Sequence, residues 1–388
     1  MKTVAIVTST RAEYGLLSPL IKKLRHYEDG GFRVDLIVTG THLSTDFGMT
    51  VDEIDDRIDC RVKVSTDSLS AMDIAKNQSV YLTEFTRIFS DKSYCAVILL
   101  GDRYEILSVA IAAGLTHTPI FHMCGGDTTE GAVDEWIRHS ITKMSYLHFV
   151  TNEKSRKRVI QLGEEPQRVF NYGSTSVENI QKKADMSKIE SLKSVGLTNC
   201  DYALCTYHPV TMENDVIDEM MQNFFSAVVK FPNLHFIITK SNADIGGARI
   251  NSLLDDFAKN NANVHVYSSL GARRYLSLMK YSRFVLGNSS SGIIEAPCLH
   301  VPTVDVGDRQ KGRALSESII NCGTSPADIE FAIKIALSKE FIDICKTINC
   351  PYGKGDTSEK IANKVIEVLT RGKISLKKKF FDVNFTIV

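Results

Sequence analysis

The sequence lacks an excess of charge of either sign. Its 46 Lys and Arg residues balance its 46 Asp and Glu residues, so the formal net charge is zero. A chain without a net field has no general electrostatic affinity for nucleic acid or for an anionic membrane surface. We therefore expect neither partner, and any phosphate that the protein binds must be held by a few placed groups.

Long apolar runs and paired cysteines are also missing. No stretch approaches the ~18 consecutive apolar residues of a transmembrane helix, and residues 1–8 do not have the features of a signal peptide. The nine cysteines are scattered without a C-x-x-C pair, and the spacings Cys200/Cys205 and Cys345/Cys350 are too wide for a zinc knuckle. We therefore expect a cytoplasmic protein with reduced thiols and no metal.

Short β-branched runs alternate with amphipathic stretches in the first half of the chain. The runs are continuously apolar, which is typical of parallel strands covered on both faces, and the alternation indicates βαβ units. Strands are predicted over residues 4–8, 34–38, 96–100, 120–123, 147–150 and 169–172, and helices over 16–24, 105–115 and 132–144.

The alternation stops between residues 173 and 199, where a polar helix over 181–194 is predicted, and then resumes. Further strands are predicted over 203–206, 236–239, 264–267, 284–286 and 303–306. This pattern predicts an α/β protein with two doubly wound Rossmann-like domains, 1–175 and 176–358, facing each other across a cleft. A C-terminal helix, within about 359–388, is expected to pack back on the first domain, and Lys377–Lys379 are interpreted as a solvated tail.

Ligands of open parallel sheets lie beyond the carboxyl ends of the strands, so the residues that follow each strand matter most. The first strand is followed by Ser9, Thr10 and Arg11 and then by a helix, which suits an anion site or, equally, an ordinary capped helix with a surface Arg. No G-x-G-x-x-G accompanies it, which argues against a bound dinucleotide and leaves no cofactor predicted.

Acidic residues follow the third and fourth predicted strands and begin the helix after them. Asp102 and Arg103 follow residues 96–100, Asp127 follows 120–123, and Asp134 stands one helical turn before Arg138. Asp102 could be only a helix cap, and Asp134 with Arg138 only a surface ion pair. Carboxylates that converge at one edge of a sheet would raise at least one pKa, which suits general acid–base catalysis.

The second half repeats this arrangement with other chemistry. His208 directly follows a strand, where it is either catalytic or structural. Residues 287–292 (GNSSSG) precede a helix, and small residues there would let the backbone approach a phosphate. Glu295, expected in the first turn of that helix, suits ribose hydroxyls, and Arg309 suits diphosphate charge.

Five stretches together resemble a known family. They are residues 9–15 (STRAEYG), 101–105 (GDRYE), 134–144 (DEWIRHSITKM), 287–295 (GNSSSGIIE) and 307–313 (GDRQKGR), and residues 349–353 (NCPYG) fit as well. In this order they resemble the hydrolysing UDP-N-acetylglucosamine 2-epimerases, in the branch that begins sialic acid and legionaminic acid synthesis. The resemblance implies a GT-B fold in which the second domain holds UDP.

The resemblance also implies a mechanism. A base removes the C2 proton, UDP leaves C1 by anti elimination to give a 2-acetamidoglucal, and water then adds with inversion at C2. The functional positions of the family fall on Arg11, Asp102, Asp134, Arg138, His208, Ser289, Ser290, Glu295 and Arg309. Together with the residues that follow the strands, this predicts the catalytic residues Asp102, Asp127, Asp134 and His208. The predicted substrate-binding residues are Arg11, Arg103, Arg138, Ser289, Ser290, Gly292, Glu295 and Arg309.

The sequence departs from the family pattern at two places. Cys124 stands where many relatives have Glu, so Asp127 is the candidate to supply that carboxylate. The stretch Thr39–His42 lacks the Gln with which some relatives bind a second, activating UDP sugar, so no allosteric substrate site is expected.

Three functions remain open at this level. The favoured one is a hydrolysing 2-epimerase acting on a UDP-activated 2-acetamido sugar, as a homodimer or homotetramer. The alternatives are a retaining GT-B glycosyltransferase and a non-catalytic nucleotide-sugar sensor. The sugar is UDP-N-acetylglucosamine or UDP-2,4-diacetamido-2,4,6-trideoxyglucose (UDP-N,N'-diacetylbacillosamine), and the less polar Cys124 and Trp136 lean towards the deoxy sugar.

Overall fold

A computed structural model describes the whole chain except residues 46–47, 65–69, 130–132, 210–216, 242–245, 373 and 385–388. The chain divides into two compact units. The first comprises Met1–Asp127, Asp134–Glu178 and Gly353–Val388, and the second comprises Thr128–Val133 and Asn179–Tyr352.

The first unit is built on a parallel sheet of seven strands. Its strands are continuous apolar runs, as in β4, where all five residues are buried because helices cover both faces. The order is β3-β2-β1-β4-β5-β6-β7. The strands are β1 (Lys2–Thr8), β2 (Phe32–Val38), β3 (Cys60–Arg61), β4 (Ala96–Leu100), β5 (Ile120–Met123), β6 (Leu147–Val150) and β7 (Val169–Asn171).

Helices connect these strands. The α-helices are α1 (Arg11–Arg25), α2 (Ala71–Lys92), α3 (Tyr104–Leu115), α4 (Asp134–Met144), α5 (Glu153–Gln161) and α6 (Thr175–Lys183), which leads into the second unit. Short 3-10 helices span Glu28–Gly30, Gly40–Leu43, Thr50–Glu53 and Pro166–Arg168.

The second unit contains a parallel sheet of six strands in the order β10-β9-β8-β11-β12-β13. The strands are β8 (Tyr202–Thr206), β9 (His235–Thr239), β10 (Val264–Tyr267), β11 (Val285–Gly287), β12 (Thr303–Val306) and β13 (Ile319–Cys322). The helices are α7 (Lys188–Lys193), α8 (Ile217–Val228), α9 (Gly247–Lys259), α10 (Gly271–Tyr281), α11 (Ser290–Cys298), α12 (Pro326–Leu337) and α13 (Lys339–Thr347).

The last helix, α14 (Thr357–Thr370), belongs to the first unit and packs against α1. Its apolar face places Ile361, Val365 and Leu369 in the same core as the leucines of α1. The Glu178 carboxylate accepts hydrogen bonds from the backbone N–H (2.5 Å) and the hydroxyl (2.6 Å) of Ser358. A carboxylate at a helix N-terminus also complements the helix dipole.

One predicted helix differs from the structure, and two strands were missed. The helix predicted over 181–194 is two helices, because Ser187 and Glu190 form a capping box that begins α7 after the end of α6. The edge strands β3 and β13 were not predicted. Ala132, the predicted start of the third helix, lies outside the described residues, and α4 begins at Asp134.

The prediction of reduced thiols throughout is wrong for one pair. Cys298 and Cys350 form a disulfide, with Cα atoms 4.9 Å apart. They are separated by 52 residues in sequence, so no local spacing indicates their proximity. None of the described helices combines the length and apolarity needed to cross a bilayer.

The interpretation of Lys377–Lys379 as a solvated tail is wrong at its middle residue. Lys378 pairs with the buried Glu164 (2.6 Å) and donates to the backbone carbonyls of Lys143 (2.9 Å) and Ser145 (2.6 Å). Lys377 and Lys379 are exposed, as predicted. The composition of this lysine run does not indicate that its middle side chain is paired while its two neighbours are exposed.

Candidate active site

The strand order identifies one edge of each sheet as the place for a ligand. All strands are parallel, but the direction in which successive strands are added to the sheet reverses between β1 and β4 in the first unit, and between β8 and β11 in the second. Open parallel sheets bind ligands beyond the carboxyl ends of the strands at such switch points. The residues after these strands are therefore the candidate functional residues of each unit, and each unit is described by itself.

At the end of β1, the chain forms a capped helix. The Thr10 hydroxyl accepts a hydrogen bond from the Glu13 N–H (3.2 Å), and the Glu13 carboxylate accepts from the Ser9 N–H (2.6 Å) and hydroxyl (2.9 Å). Arg11 is the first residue of α1, and its half-exposed side chain lies 3.6 Å from Glu53. The local structure thus matches the ordinary capped helix, and substrate binding by Arg11 stays a prediction.

Glu13 is buried, and burial raises the pKa of its carboxyl to about 7, although the positive charge of Arg103 opposes the shift. Burial would lower the pKa of Arg103 itself, but the carboxylates of Glu105, Glu13 and Asp134 outweigh burial and raise it. Arg103 lies within 3.3 Å of Glu105, whose side chain is fully buried. Asp134, at the first position of α4, therefore belongs to a charged cluster around Arg103.

Asp102 is held by Arg138 of α4. The guanidinium donates through Nε (2.8 Å) and through Nη2 to the same oxygen, Oδ2, of Asp102. Arg138 is almost fully buried, whereas the Asp102 side chain is 27% exposed. A surface ion pair was the alternative for Asp134 and Arg138, and it is wrong for Arg138, which is buried and binds Asp102. Arg103 occupies the N-cap position of α3 without a capping hydrogen bond from its side chain, so Asp102 does not stand at the cap position.

Arg138 organises the surroundings of Asp102 with its remaining donors. Nη1 donates to the backbone carbonyl of Asp127 (2.8 Å) and to Glu135 (3.3 Å). Burial alone would lower the pKa of Arg138, but the Asp102 carboxylate outweighs burial and raises it. A buried cation of this kind depends on its anionic partners.

His122 on β5 fixes the backbone just before Asp102, and it was not predicted. Its Nε2–H donates to the Gly101 carbonyl (2.9 Å), and its Nδ1 accepts from the Thr142 hydroxyl of α4 (3.2 Å). Burial lowers the pKa of His122 to about 4, so the ring is neutral near pH 7. The same imidazole thus connects the loop of Asp102 to helix α4.

Asp127 lies in a cluster of neutral donors. Its Oδ1 accepts hydrogen bonds from Thr151 (3.3 Å), Asn152 (3.4 Å) and the hydroxyl of Ser155. Asn152 is also the N-cap residue of α5. Cys124, four residues after the start of β5, has a positive φ of 64°. Whether Asp127 supplies the carboxylate that Cys124 lacks stays a prediction.

In the second unit, His208 follows β8 and is fixed by Asn288, which follows β11. The Asn288 side chain accepts from the His208 N–H (2.7 Å) and donates to the His208 carbonyl (2.8 Å). The imidazole Nδ1 lies 3.2 Å from the Ser241 hydroxyl. Burial, together with the positive charge of Arg309, lowers the pKa of His208 to about 3. The imidazole ring is therefore neutral at pH values near 7.

At its last residue, β11 passes so close to β8 that a side chain would have no room. Gly287 has a φ of 133°, and a Cβ there would collide with the Thr206 carbonyl. Ser289 is the N-cap of α11 and Ser290 is its first residue, so their hydroxyls stand at a helix N-terminus. A Cβ at Gly292 would approach Thr303 to 2.8 Å, which gives this glycine a packing role.

Arg309 and Gln310 join this loop from beyond β12. Both donate to the Asn288 carbonyl, from Arg309 Nη1 (3.1 Å) and Gln310 Nε2 (2.7 Å). Asn288 therefore connects His208 with Arg309, although neither Asn288 nor Gln310 was predicted. Glu295 is the sixth residue of α11, so its expected place in the first turn is wrong; it lies in the second turn.

Two further observations concern ligands that the site could take. In the ranges that the structure describes, no group of three or more His, Cys, Asp or Glu side chains has the arrangement of a metal site. The serine-lined start of α11 and the guanidinium of Arg309 are instead suited to an anion such as a diphosphate.

The family follows from comparison with known proteins. The sequence profile of the family described as UDP-N-acetylglucosamine 2-epimerase matches residues 24–366. The chain belongs to this family. It is 38% identical to a Campylobacter jejuni protein named GDP/UDP-N,N'-diacetylbacillosamine 2-epimerase (hydrolyzing), over 88% of each chain. It is also 38% identical to polysialic acid biosynthesis protein P7 of Escherichia coli, over 99% of this chain and 98% of that one.

Solved structures confirm the predicted fold class. The UDP-GlcNAc 2-epimerase of Neisseria meningitidis, solved with bound UDP-GlcNAc, superposes with a TM-score of 0.80 at 19% identity and covers 95% of this chain and 100% of that one. The two doubly wound units thus have the GT-B-like fold of the 2-epimerase family. The resemblance inferred from the motifs is confirmed, and the chain is a hydrolysing 2-epimerase that acts on a UDP sugar rather than a glycosyltransferase or a sensor.

Proposed function

We propose that the protein converts UDP-N,N'-diacetylbacillosamine into UDP and the free manno-configured 2,4-diacetamido sugar. This choice of sugar rests on two relatives that are named for it, one from C. jejuni at 38% identity and one from Legionella pneumophila at 34%. UDP-N-acetylglucosamine is the second candidate, since a 30% identical N. meningitidis relative is named for it.

The second unit is proposed to hold UDP. The diphosphate would accept hydrogen bonds at the N-terminus of α11, from the hydroxyls of Ser289 and Ser290, and from Arg309. Gly292 would keep this turn of the helix close to β12, and Glu295 would take the ribose hydroxyls. A neutral His208 supports hydrogen bonding to the leaving group rather than a cationic role, because burial and Arg309 keep the pKa of this histidine at about 3.

The groups that act at C2 are proposed from the first unit. Asp102 accepts two N–H donors from Arg138 and is still partly exposed. The ion pair orients this carboxylate, and its partial exposure gives a substrate access to it. Asp102 is therefore the proposed base that removes the C2 proton, after which UDP leaves C1 and the 2-acetamidoglucal forms. Asp134 is the candidate to assist water addition, with Arg11 and Arg103 as cationic contacts to the substrate and Asp127 as a further carboxylate.

The proposed chemistry predicts a solvent label. The base removes the C2 proton, and a solvent proton replaces it when water adds, so the product formed in deuterium oxide should carry one deuterium at C2. Both UDP sugars are incubated separately with the protein and no acceptor, and NMR and mass spectrometry follow the products. Faster turnover of the diacetamido sugar supports the proposal. Product that retains its original C2 hydrogen would exclude the elimination.

A second prediction concerns the diphosphate. Arg309→Ala should weaken UDP binding by the ~1.5–3 kcal/mol that a charge-assisted hydrogen bond contributes, about 10- to 150-fold in Kd. Isothermal titration calorimetry with UDP measures the change. Lys311→Ala is the matched control, since Lys311 is an exposed cation two residues away. Equal affinities for UDP in the two variants would contradict the role of Arg309.

Two sequence-based expectations remain proposals. We infer a cytoplasmic location, in which UDP sugars are made, and a homodimer or homotetramer. Fractionation of cells and light scattering on the purified protein test them.

A further inference from the structure

Residues 374–384 dock on the rest of the first unit, although within this described range they form neither helix nor strand. Besides the contacts of Lys378, the Phe381 N–H donates to the Gly163 carbonyl (3.0 Å). Gly163 has a φ of 86°, and a Cβ there would collide with the ring of Phe380. The ammonium of Lys143 lies 4.6 Å from the centre of the same ring. Residues 378–381 are therefore fitted to this surface, and we refer to them as the tail clamp.

The tail clamp holds the end of helix α4. Lys378 donates to the carbonyls of Lys143, in the last turn of α4, and of Ser145, just beyond it. Carbonyls at a helix C-terminus have no partner within the helix, and a cation there also complements the helix dipole. Lys378 thus caps the C-terminus of α4, although it stands 233 positions after Ser145 in the sequence.

A buried carboxylate fixes Lys378 in this position. Glu164 accepts from Lys378 (2.6 Å), from Lys143 (2.9 Å) and from His148 (3.0 Å), and its side chain is fully buried. Burial would raise the pKa of Glu164, but these hydrogen bonds outweigh burial and lower it to about 2. The Glu164 side chain is fully buried, whereas those of Lys143 and Lys378 are partly exposed. A buried carboxylate is costly to leave unpaired, so Glu164 favours the position in which Lys378 reaches it.

The helix that the tail clamp holds is the one that carries the proposed active-site residues. Asp134 begins α4, and Arg138 in its second turn binds Asp102. Thr142 in its last turn bonds His122 (3.2 Å), which in turn holds the loop before Asp102. An 11-residue helix is about 16 Å long. Over such a distance the charge of Lys378 is largely screened, so an effect on Asp134 would act through the position of the helix.

We propose that the tail clamp is a positioning element for catalysis, which sets the axial position of α4 and so of Asp134 and Arg138. This proposal rests on the proposed function of these residues. Within the tail clamp, Lys378 is the positioning residue, because it donates to the carbonyls at the end of α4. Catalysis is sensitive to small errors in position, since a displacement of about 1 Å can cost about 10²-fold in rate.

Lys378→Met tests the proposal, with Lys377→Met as the matched control because Lys377 is the exposed neighbour. We expect kcat to fall about 10-fold in Lys378→Met, with KM for the UDP sugar and Kd for UDP changed less than two-fold. Lys378→Arg, which retains a cationic donor, should recover most of kcat. Lys377→Met should behave as the wild type.

A double variant separates positioning from a general loss of structure. If Lys378 acts through Arg138, the effect of Lys378→Met on kcat should be smaller in an Arg138→Lys background than alone, because the two changes affect one contact network. Independent, multiplicative losses would contradict the proposal, as would a lower melting temperature with wild-type kcat. If the wild type turns over neither UDP sugar, the proposed function and this inference both fall. If the wild type is active and Lys378→Met equals Lys377→Met, only the inference falls.

Discussion

Asp102→Asn should lower kcat for the UDP sugar by about 10²–10⁴, the usual contribution of a general acid or base. The change keeps the size of the side chain and one acceptor for Arg138, but it removes the negative charge that would take up the C2 proton. The affinity for UDP should stay unchanged, because the UDP groups are proposed in the other unit. Steady-state kinetics and UDP calorimetry on the same preparation measure both quantities.

The ion pair predicts a stability cost as well. Arg138 loses part of its charge compensation in Asp102→Asn, so we expect the free energy of unfolding to fall by about 1–3 kcal/mol. Glu135→Gln is the matched control, since Glu135 also accepts a hydrogen bond from Arg138 (3.3 Å) but has no proposed chemical role. It should share part of the stability loss and keep kcat within a few-fold of wild type. A kcat near wild type in Asp102→Asn would return this carboxylate to a purely structural role.

The sequence predicted the parts of the fold that depend on local patterns. The residues of β4, Ala96–Leu100, are all apolar and buried, so a central parallel strand is the simplest reading of them. The edge strand β13 is only partly buried and includes Asn321, so its pattern does not stand out. Ser187, three residues before Glu190, is a recognisable capping box that would have divided the predicted polar helix.

The site was predicted less completely, because its contacts join residues that are distant in sequence. Asp102 and Arg138 are 36 positions apart, whereas local spacing could offer Arg138 only partners on its own helix, such as Asp134 and Glu135. Asn288 stands before three serines, and its amide carries a donor and an acceptor on separate atoms, which bond the C=O and the N–H of His208. That difference in chemistry is a usable signal. The sequence around Lys378 contains no such signal, since its partner Glu164 lies more than 200 positions earlier.

Arg138→Met should be the most destabilising substitution proposed. It removes the buried guanidinium and leaves Asp102 without its cation. Removing one member of a fully buried ion pair costs about 3–5 kcal/mol, and the partial exposure of Asp102 reduces this to about 2–4 kcal/mol. Because Asp102 would also lose its fixed position, kcat should fall by about 10² or more. Urea unfolding and steady-state kinetics measure the two losses separately.

The double variant Asp102→Asn/Arg138→Met distinguishes the two effects of this ion pair. The double variant no longer carries the Asp102 charge that Arg138→Met leaves without its guanidinium, so it should be more stable than Arg138→Met alone, by about 1–2 kcal/mol. Its kcat should nevertheless stay as low as that of Asp102→Asn, because the proposed base is absent. Stability would then be recovered without activity. If the stability losses of the two single variants simply add in the double variant, Asp102 and Arg138 do not depend on each other. If the double variant regains kcat, Asp102 is not the base.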